Sequence, residues 1–256
     1  MGSALMKGVY SSSNGAVLGF SGPNKAKAEG KAAAFGGKVF ASNVAAVQEG
    51  DFVFLAVKPQ ILQEVLHEIS GAVQEKIASV VLVSMAAGWS IEKIQTALGC
   101  KAPVVRIMPN TPSLIGQGVI VMTASSEVRA EDQAELCKLL RGAGIVDSVE
   151  EKHLEAATGL SGCAPAFAYL FIEALADGGV RSGLPREKAL RYAAQTVLGS
   201  AAMVLETGKH PGELKDMVTS PAGATIEGIA ALENGGFRSC TINAVTASSR
   251  RAAELG

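Results

Sequence analysis

Apolar positions change their spacing once along the chain. Up to about residue 150, short runs that are apolar at nearly every position alternate with longer segments of helical periodicity. The strand candidates are Ala16–Phe20, Lys38–Phe40, Asp51–Val57, Ser79–Met85, Val104–Met108, Gly118–Met122 and Ile145–Val149. No polar residue interrupts Phe52-Val53-Phe54-Leu55-Ala56-Val57. A strand tolerates that only where helices cover both faces of its sheet. Such strands, alternating with helical segments, predict parallel strands joined by helical crossovers: a doubly wound α/β domain over residues 1–149.

Over residues 150–256 the strand pattern gives way to long helical ones, broken at Gly183-Leu184-Pro185, Gly208 to Gly212, Ser220-Pro221 and Asn234-Gly235-Gly236. This half is expected to be all helix. Its segments Ala164–Ala176 and Ala189–Leu205 are apolar on more than one face, more than a small helical domain buries alone, so a subunit interface is expected there.

Composition narrows the function classes. The chain carries 23 basic and 24 acidic residues, net charge −1, and so lacks the electrostatic footprint that nucleic acid or an acidic membrane would demand. Cys100, Cys137, Cys163 and Cys240 lie far apart, without zinc or disulfide spacing, and read as reduced, small buried hydrophobes of a cytoplasmic protein. His67, His153 and His210 are equally scattered, and no metal is expected. The longest apolar stretches, such as Ser79 to Ala87, are too short to span a bilayer, so no membrane partner is expected.

A dinucleotide site in such a fold needs a Gly-rich turn after the first strand, a ribose-reading residue after the second, and later strand edges for the nicotinamide. Ser21-Gly22-Pro23-Asn24-Lys25 follows Ala16–Phe20 with no Asp or Glu for a 2′-hydroxyl. Its hydroxyl, amide and ammonium favour the 2′-phosphate of NADP. These residues also make an ordinary turn, and the two roles are compatible. Asn43 either caps the short helix it precedes or reaches the adenosine end of a cofactor. Ala56-Val57-Lys58-Pro59 turns the chain at the carboxyl edge of the sheet, and Ala86-Ala87-Gly88 would let a flat ring approach the backbone. The Gly-rich turn is incomplete. Met1-Gly2-Ser3-Ala4-Leu5-Met6-Lys7-Gly8 reads as the last glycine of a G-x-G-x-x-G turn and the helix behind it. This suggests a chain defined from an internal methionine of a longer protein, the alternative being a catalytically impaired oligomerising homologue.

Three later segments carry a family resemblance: Arg106-Ile107-Met108-Pro109-Asn110-Thr111-Pro112, Thr158-Gly159-Leu160-Ser161-Gly162-Cys163-Ala164-Pro165-Ala166, and Pro211 through Ile226 continuing to Gly235-Gly236-Phe237-Arg238. In order and spacing they resemble the motifs of pyrroline-5-carboxylate reductases. The resemblance implies a Rossmann-type domain, here lacking its first strand, followed by an all-α dimerisation domain. It implies reduction of 1-pyrroline-5-carboxylate to L-proline, the last step of proline biosynthesis, with NADPH preferred over NADH. The cofactor residues it implies are Ser21, Asn43, Ala56, Val57, Lys58, Pro59, Ala86 and Ala87, with Pro23 in the ribose turn. The substrate residues are Glu151, Ala224 and Thr225, with Ser220 and Gly223 in the same loop. Ala222 stands where many relatives have Gly, a small residue being what the turn requires.

The expected chemistry is mostly positioning. Ser220 would cap a helix with Pro221 in its first turn, the exposed amides would cradle the substrate carboxylate, and Thr225 would offer its hydroxyl to the ring nitrogen. Glu151 would tolerate a protonated iminium nitrogen. Lys188, Lys209 and Lys215 read as surface residues, unlike the catalytic lysine of hydroxyacid dehydrogenases. No Ser–His–Asp or Cys–His arrangement supports covalent catalysis.

Overall fold

The computed structural model describes residues 2–12 and 15–255, apart from the side chains of residues 3 and 4. Met1, at the start of the incomplete glycine turn, lies outside the described residues. The chain continues as α1 (Gly2–Ser12), β1 (Gly19–Phe20), α2 (Lys25–Phe35), β2 (Lys38–Val39), α3 (Asn43–Glu49), β3 (Phe52–Leu55), α4 (Pro59–Glu75), β4 (Val81–Ser84), α5 (Ile91–Leu98) and β5 (Val104–Pro109). β6 (Gly118–Ala124), α6 (Ala130–Leu140) and β7 (Gly144–Ser148) follow. Each predicted strand run overlaps one observed strand, with β5, β6 and β7 reaching beyond the predicted bounds by one or two residues. Helix starts obey local chemistry: Asn24, Ser42 and Ser90 accept hydrogen bonds from the backbone N–H three residues on, capping α2, α3 and α5.

The strands form two sheets, β1-β2 and β3-β4-β5-β6-β7. β3, β4 and β5 are parallel, with Val53 opposite Leu82 and Val83 opposite Val105. The expectation of an all-parallel sheet fails at β6, which runs antiparallel to β5 with Pro109 opposite Ile120. The reason is length. Only a 3-10 turn over Thr111–Ile115 separates them, whereas a parallel return needs a crossover of a dozen or so residues. α6 supplies such a crossover next, and β7 lies parallel to β6.

Both sheet faces are covered, as the uninterrupted apolar runs required. In β4, Leu82 packs on one side with Leu62, Leu66 and Ile69 of α4 and Ile94 and Leu98 of α5. Its neighbours Val81 and Val83 pack on the other with Leu5 and Val9 of α1 and Leu136 and Leu140 of α6. This is the period-2 alternation of a strand with two apolar faces.

The remaining described segment is helical: α7 (Leu154–Ala157), α8 (Ala164–Arg181), α9 (Arg186–Thr207), α10 (Pro211–Met217), α11 (Ala224–Asn234) and α12 (Phe237–Glu254). The breaks fall where Gly and Pro placed them. The chain divides into two compact units, Met1–Cys163 with Ala247–Gly256, and Ala164–Thr246. The first therefore runs past the expected boundary at residue 149. Within it, Thr158–Gly162 forms a π-helical turn, Cys163 N–H donating to the Thr158 carbonyl at 3.0 Å. A Cβ on Gly159 would stand 2.0 Å from Ser249 Oγ, so close helix approach demands glycine in this motif.

In the second unit α8 and α9 bury only Ala176, Ala189 and Ala193 against each other. Leu170, Leu198 and Leu205 remain 67%, 60% and 80% exposed. The helical run Glu151–Arg181 holds an 18-residue window of mean hydropathy 1.4, apolar enough by length and composition to cross a membrane, as the apolar helix of a protein outside a membrane can be.

Candidate functional site

A polar cluster gathers where β1 stops. Ser42, not Asn43, caps α3, which leaves the Asn43 amide for tertiary contacts. Ser21 Oγ donates to Asn43 Oδ1 at 2.8 Å, and Asn43 Nδ2 donates to Glu68 Oε2 at 2.7 Å. The first contact joins two residues expected to act together. The second brings in Glu68, which sequence reasoning missed: it sits on α4, far along the chain, with no motif around it. Pro23 is exposed, and Asn24 is occupied in capping α2. Lys25 meets Glu29 at 3.9 Å, both exposed, a pairing worth little in water.

A cleft of about 620 Å³ brings together Ser21, Asn43, Ala56 and Val57. Lys58, Pro59, Ala86, Ala87 and Pro23 are not in its walls. Lys58 and Pro59 form the start of α4, the proline occupying a first-turn position where no N–H is missed. Ala86 is buried in the α4/α5 core, whereas Ala87 is exposed beside Gly88 at φ 79°. Of this alanine pair only Ala87 presents its side chain at the strand edge. The donor set fits a dinucleotide: hydroxyl and amide groups at one end, and small residues that permit close approach at the other.

Beyond the end of β4 lies a charged cluster. Arg106 on β5, its side chain 5% exposed, donates through Nη1 to Glu151 Oε1 at 2.7 Å and through Nη2 to Glu155 Oε1 at 3.2 Å. Glu151 Oε1 also accepts from the Ile91 backbone N–H at 2.9 Å, placing a carboxylate at the positive end of α5. The residue expected to answer a substrate charge is therefore already held by an arginine and a helix terminus. Asn110 of the same motif donates to the Ser161 carbonyl and accepts from Val119 N–H, both at 2.9 Å. The Arg106–Asn110 segment thus fastens the sheet to residues 151–161. It explains why the compact unit extends to Cys163.

The residues expected to bind substrate fall in both units: Glu151 in the first, and Ser220, Gly223, Ala224 and Thr225 in the second. Gly223 N–H donates to the Ser220 carbonyl at 3.1 Å. With Pro221 second and Ala222 third at φ 55°, this is the arrangement of a type II turn. Two expectations change. Ser220 does not cap the helix, because Gly223 holds the cap position and α11 starts at Ala224. Ala222 is the non-glycine residue with positive φ among those described. The turn therefore asks for a left-handed backbone and not merely a small side chain, so the departure from glycine carries a conformational cost. No side chain caps α11, leaving its first amides, beside the exposed Thr225, open to an external acceptor.

The thiols also differ from expectation in one case. Cys100, Cys137 and Cys163 are half-buried, and burial raises the pKa of Cys100 and Cys137, but Cys240 is exposed. Its apolar environment is not supplied within its own unit.

Fold and site together define a dinucleotide-dependent reductase, a Rossmann-type domain followed by a helical association domain. A family model described as pyrroline-5-carboxylate reductase dimerisation matches residues 151–255, and one described as NADP oxidoreductase, coenzyme F420-dependent, matches residues 1–88. The chain is 48% identical to the pyrroline-5-carboxylate reductase of Glycine max, over 86% of this chain and 79% of the relative. It is 42% identical to that of Methanosarcina acetivorans, over 100% and 94%. The crystal structure of Plasmodium falciparum pyrroline carboxylate reductase with NADP bound superposes with a TM-score of 0.87 at 33% identity, covering 100% of this chain and 94% of that one. This chain belongs to the pyrroline-5-carboxylate reductase family. Its helical half, matched by the dimerisation model, self-associates.

Proposed function

We infer that the chain reduces 1-pyrroline-5-carboxylate to L-proline with NADPH, in preference to NADH, in the cytoplasm. The carrying observation is the uncapped start of α11 behind the Ser220–Gly223 turn, in a chain of this family. The Ala224 and Thr225 amides hold the substrate carboxylate, where backbone N–H groups and the helix dipole favour an anion. The Thr225 hydroxyl orients the ring nitrogen, and Gly223 keeps the turn tight enough for Ser220 to stay clear of the ring.

When bound, NADPH would supply a hydride to the imine carbon, the C=N double bond becoming single and the nitrogen keeping the proton of the iminium form. Ser21 and Asn43 bind the adenosine phosphate end, Ala56 and Val57 line its path, and Ala87 admits the nicotinamide. Glu151, held by Arg106, acts through position: it fixes the segment leading into the helical half and keeps negative potential near it. The preference for NADPH rests on the absence of an acidic residue directly after β1, with Glu68 as an opposing charge one contact further out.

The test is oxidation of NADPH, followed at its absorbance band, on addition of pyrroline-5-carboxylate, with proline identified as product. Turnover of a linear hydroxyacid instead would replace this reading. Thr225→Ala is expected to lower kcat/KM about 100-fold without weakening NADPH binding, since one positioned hydroxyl contributes on this scale.

A further inference from the structure

We propose that a polar cavity between α5 and the ends of β6 and β7 binds a free α-amino acid with a hydrogen-bonding side chain. The cavity lies wholly within the first unit, and none of the residues read above as holding the cofactor lines it. Of the substrate candidates only Glu151 borders it. Its volume is about 630 Å³, inside the range of about 300 to 1,000 Å³ usual for small-molecule sites.

One wall presents a cation and an anion a single amide apart. Gln95 of α5 is 6% exposed. Its Nε2 donates to the Ala102 carbonyl at 2.9 Å and to Glu127 Oε2 at 3.0 Å, which spends both amide protons and fixes the side chain's orientation. Oε1 then accepts from Lys101 Nζ at 3.4 Å. Glu127 also accepts from Ser126 Oγ at 3.1 Å. Hydrogen bonds, first that of Ser125 and then those of Gln95 and Ser126, hold its carboxyl below the usual range. The other acids in the wall are answered elsewhere, Glu150 by Lys152 at 2.6 Å and Glu151 by Arg106 at 2.7 Å. Lys101 and Glu127 are left as an opposed pair that Gln95 keeps apart. A zwitterion whose two charged groups share one carbon answers both, its ammonium on Glu127 and its carboxylate on Lys101.

The β6 side supplies an unspent hydroxyl. Thr123 lies opposite Arg106 in the β5–β6 ladder, so both side chains stand on the same face of the sheet. Thr123 is 6% exposed, and among the described residues its Oγ1 has no hydrogen-bond partner. It is not sealed in, because among the described residues the sealed hydroxyl without a partner is Ser113 Oγ. What remains accessible of Thr123 opens onto this cavity. Nearby, Gln133 Nε2 donates to Ser148 Oγ at 3.2 Å, which leaves the Ser148 proton and the Gln133 carbonyl for a third party. A bridge that merely fastened α5 to the start of β5 would account for Gln95. It would not account for a buried hydroxyl on β6 with nothing to meet, which is costly unless something entering the cavity meets it. Hydroxyl and amide groups of this kind suit a polar side chain and not an aliphatic one.

Titration calorimetry of the full chain without cofactor tests the site, with L-glutamine and L-serine as probes and L-leucine as control. Saturable binding is expected, with L-leucine at least about tenfold weaker than L-glutamine, since it leaves the polar groups unmet. Glu127→Gln and Lys101→Met should each weaken L-glutamine about tenfold or more, each removing one charge-assisted contact. Thr123→Val should weaken it about three- to tenfold and leave the thermal midpoint level or raised, because no internal partner is lost. NADPH affinity should not move in any of the three variants. The proposal is overturned if neither probe saturates on folded protein, if L-leucine binds as well as L-glutamine, or if the charge variants bind unchanged. Displacement of the probe by pyrroline-5-carboxylate would overturn it too, by placing the probe at the catalytic site. A lowered midpoint in Thr123→Val would count against it equally, showing that the hydroxyl has a partner within the chain. Binding without turnover of pyrroline-5-carboxylate would leave the cavity site standing and remove the functional reading instead.

Discussion

The two compact units spend their apolar residues in opposite ways. The first buries leucine, isoleucine and valine on both faces of its sheet, with Leu62, Leu66, Leu82, Ile120 and Met122 wholly inside. The second buries three alanines and leaves Leu170, Leu198 and Leu205 in the open. Hydrophobic content alone does not separate them. The difference lies in what covers the apolar face: helices of the same unit in one case, and nothing within the unit in the other, in the half of the chain that the dimerisation model matches.

The sharpest test of that contrast is a pair of core and surface changes. Leu82→Ala should cost about 3 kcal/mol of stability, because the packed sheet cannot close over the lost volume. Urea unfolding should show the loss at every protein concentration. Leu170→Glu together with Leu198→Glu should instead weaken self-association by about 2 kcal/mol or more while leaving the first unit folded. Sedimentation velocity reads this directly, and unaltered association would mean that the exposed face of the second unit is not the interface.

Arg106→Met probes the fastening of β5 to residues 151–161. Its two carboxylate partners are about one-third exposed and can regain water, so about 2 kcal/mol is expected rather than the larger cost of a fully buried pair. KM for the substrate should rise with NADPH affinity unchanged. Arg106→Lys should restore only part of the effect, since one ammonium cannot reproduce the guanidinium's fork to two carboxylates. Equal losses in both affinities would argue against a role confined to the substrate side.

A smaller effect is expected at the adenosine end. Glu68→Gln keeps a hydrogen-bond acceptor for Asn43 but removes a negative charge beside the residue proposed to meet the adenosine phosphate, and should tighten NADPH about two- to fivefold at low salt, with NADH unmoved. Titrations of both nucleotides at two ionic strengths check it. Smallest is Ala222→Gly. Release of the positive-φ strain is partly cancelled by greater freedom of the unfolded chain, leaving up to about 1 kcal/mol of gain. Calorimetry should show a small rise in midpoint, and a fall would mean that the alanine methyl packs usefully across the assembled interface.

Much of the candidate site was legible before the fold was known, though unevenly. The Ser21 turn, the turn ahead of α11 and the helix breaks follow from residues close together in the chain, where glycine and proline act through local backbone geometry, though the cap of α11 is Gly223 and not Ser220. Glu68 was invisible because its contact with Asn43 crosses from α4 to α3, and no periodicity reports which polar residue on a helix meets a neighbour. Glu151 was legible as a candidate but not in its state. That Arg106 and the Ile91 amide already hold it depends on β5 lying beside the α5 start.

By itself, the sequence determined that the chain is a dinucleotide-binding α/β domain followed by helices, because alternation between apolar runs and helical periods is a local record of burial. It determined the family, since three motifs stand in order. Only the tertiary structure decided that β6 turns antiparallel, that residues 151–163 belong with the sheet, and that Ala222 must bend left-handed. Each of these depends on which distant segments share a surface, and the balance of packing and backbone hydrogen bonding that selects those neighbours is settled only when the whole unit closes.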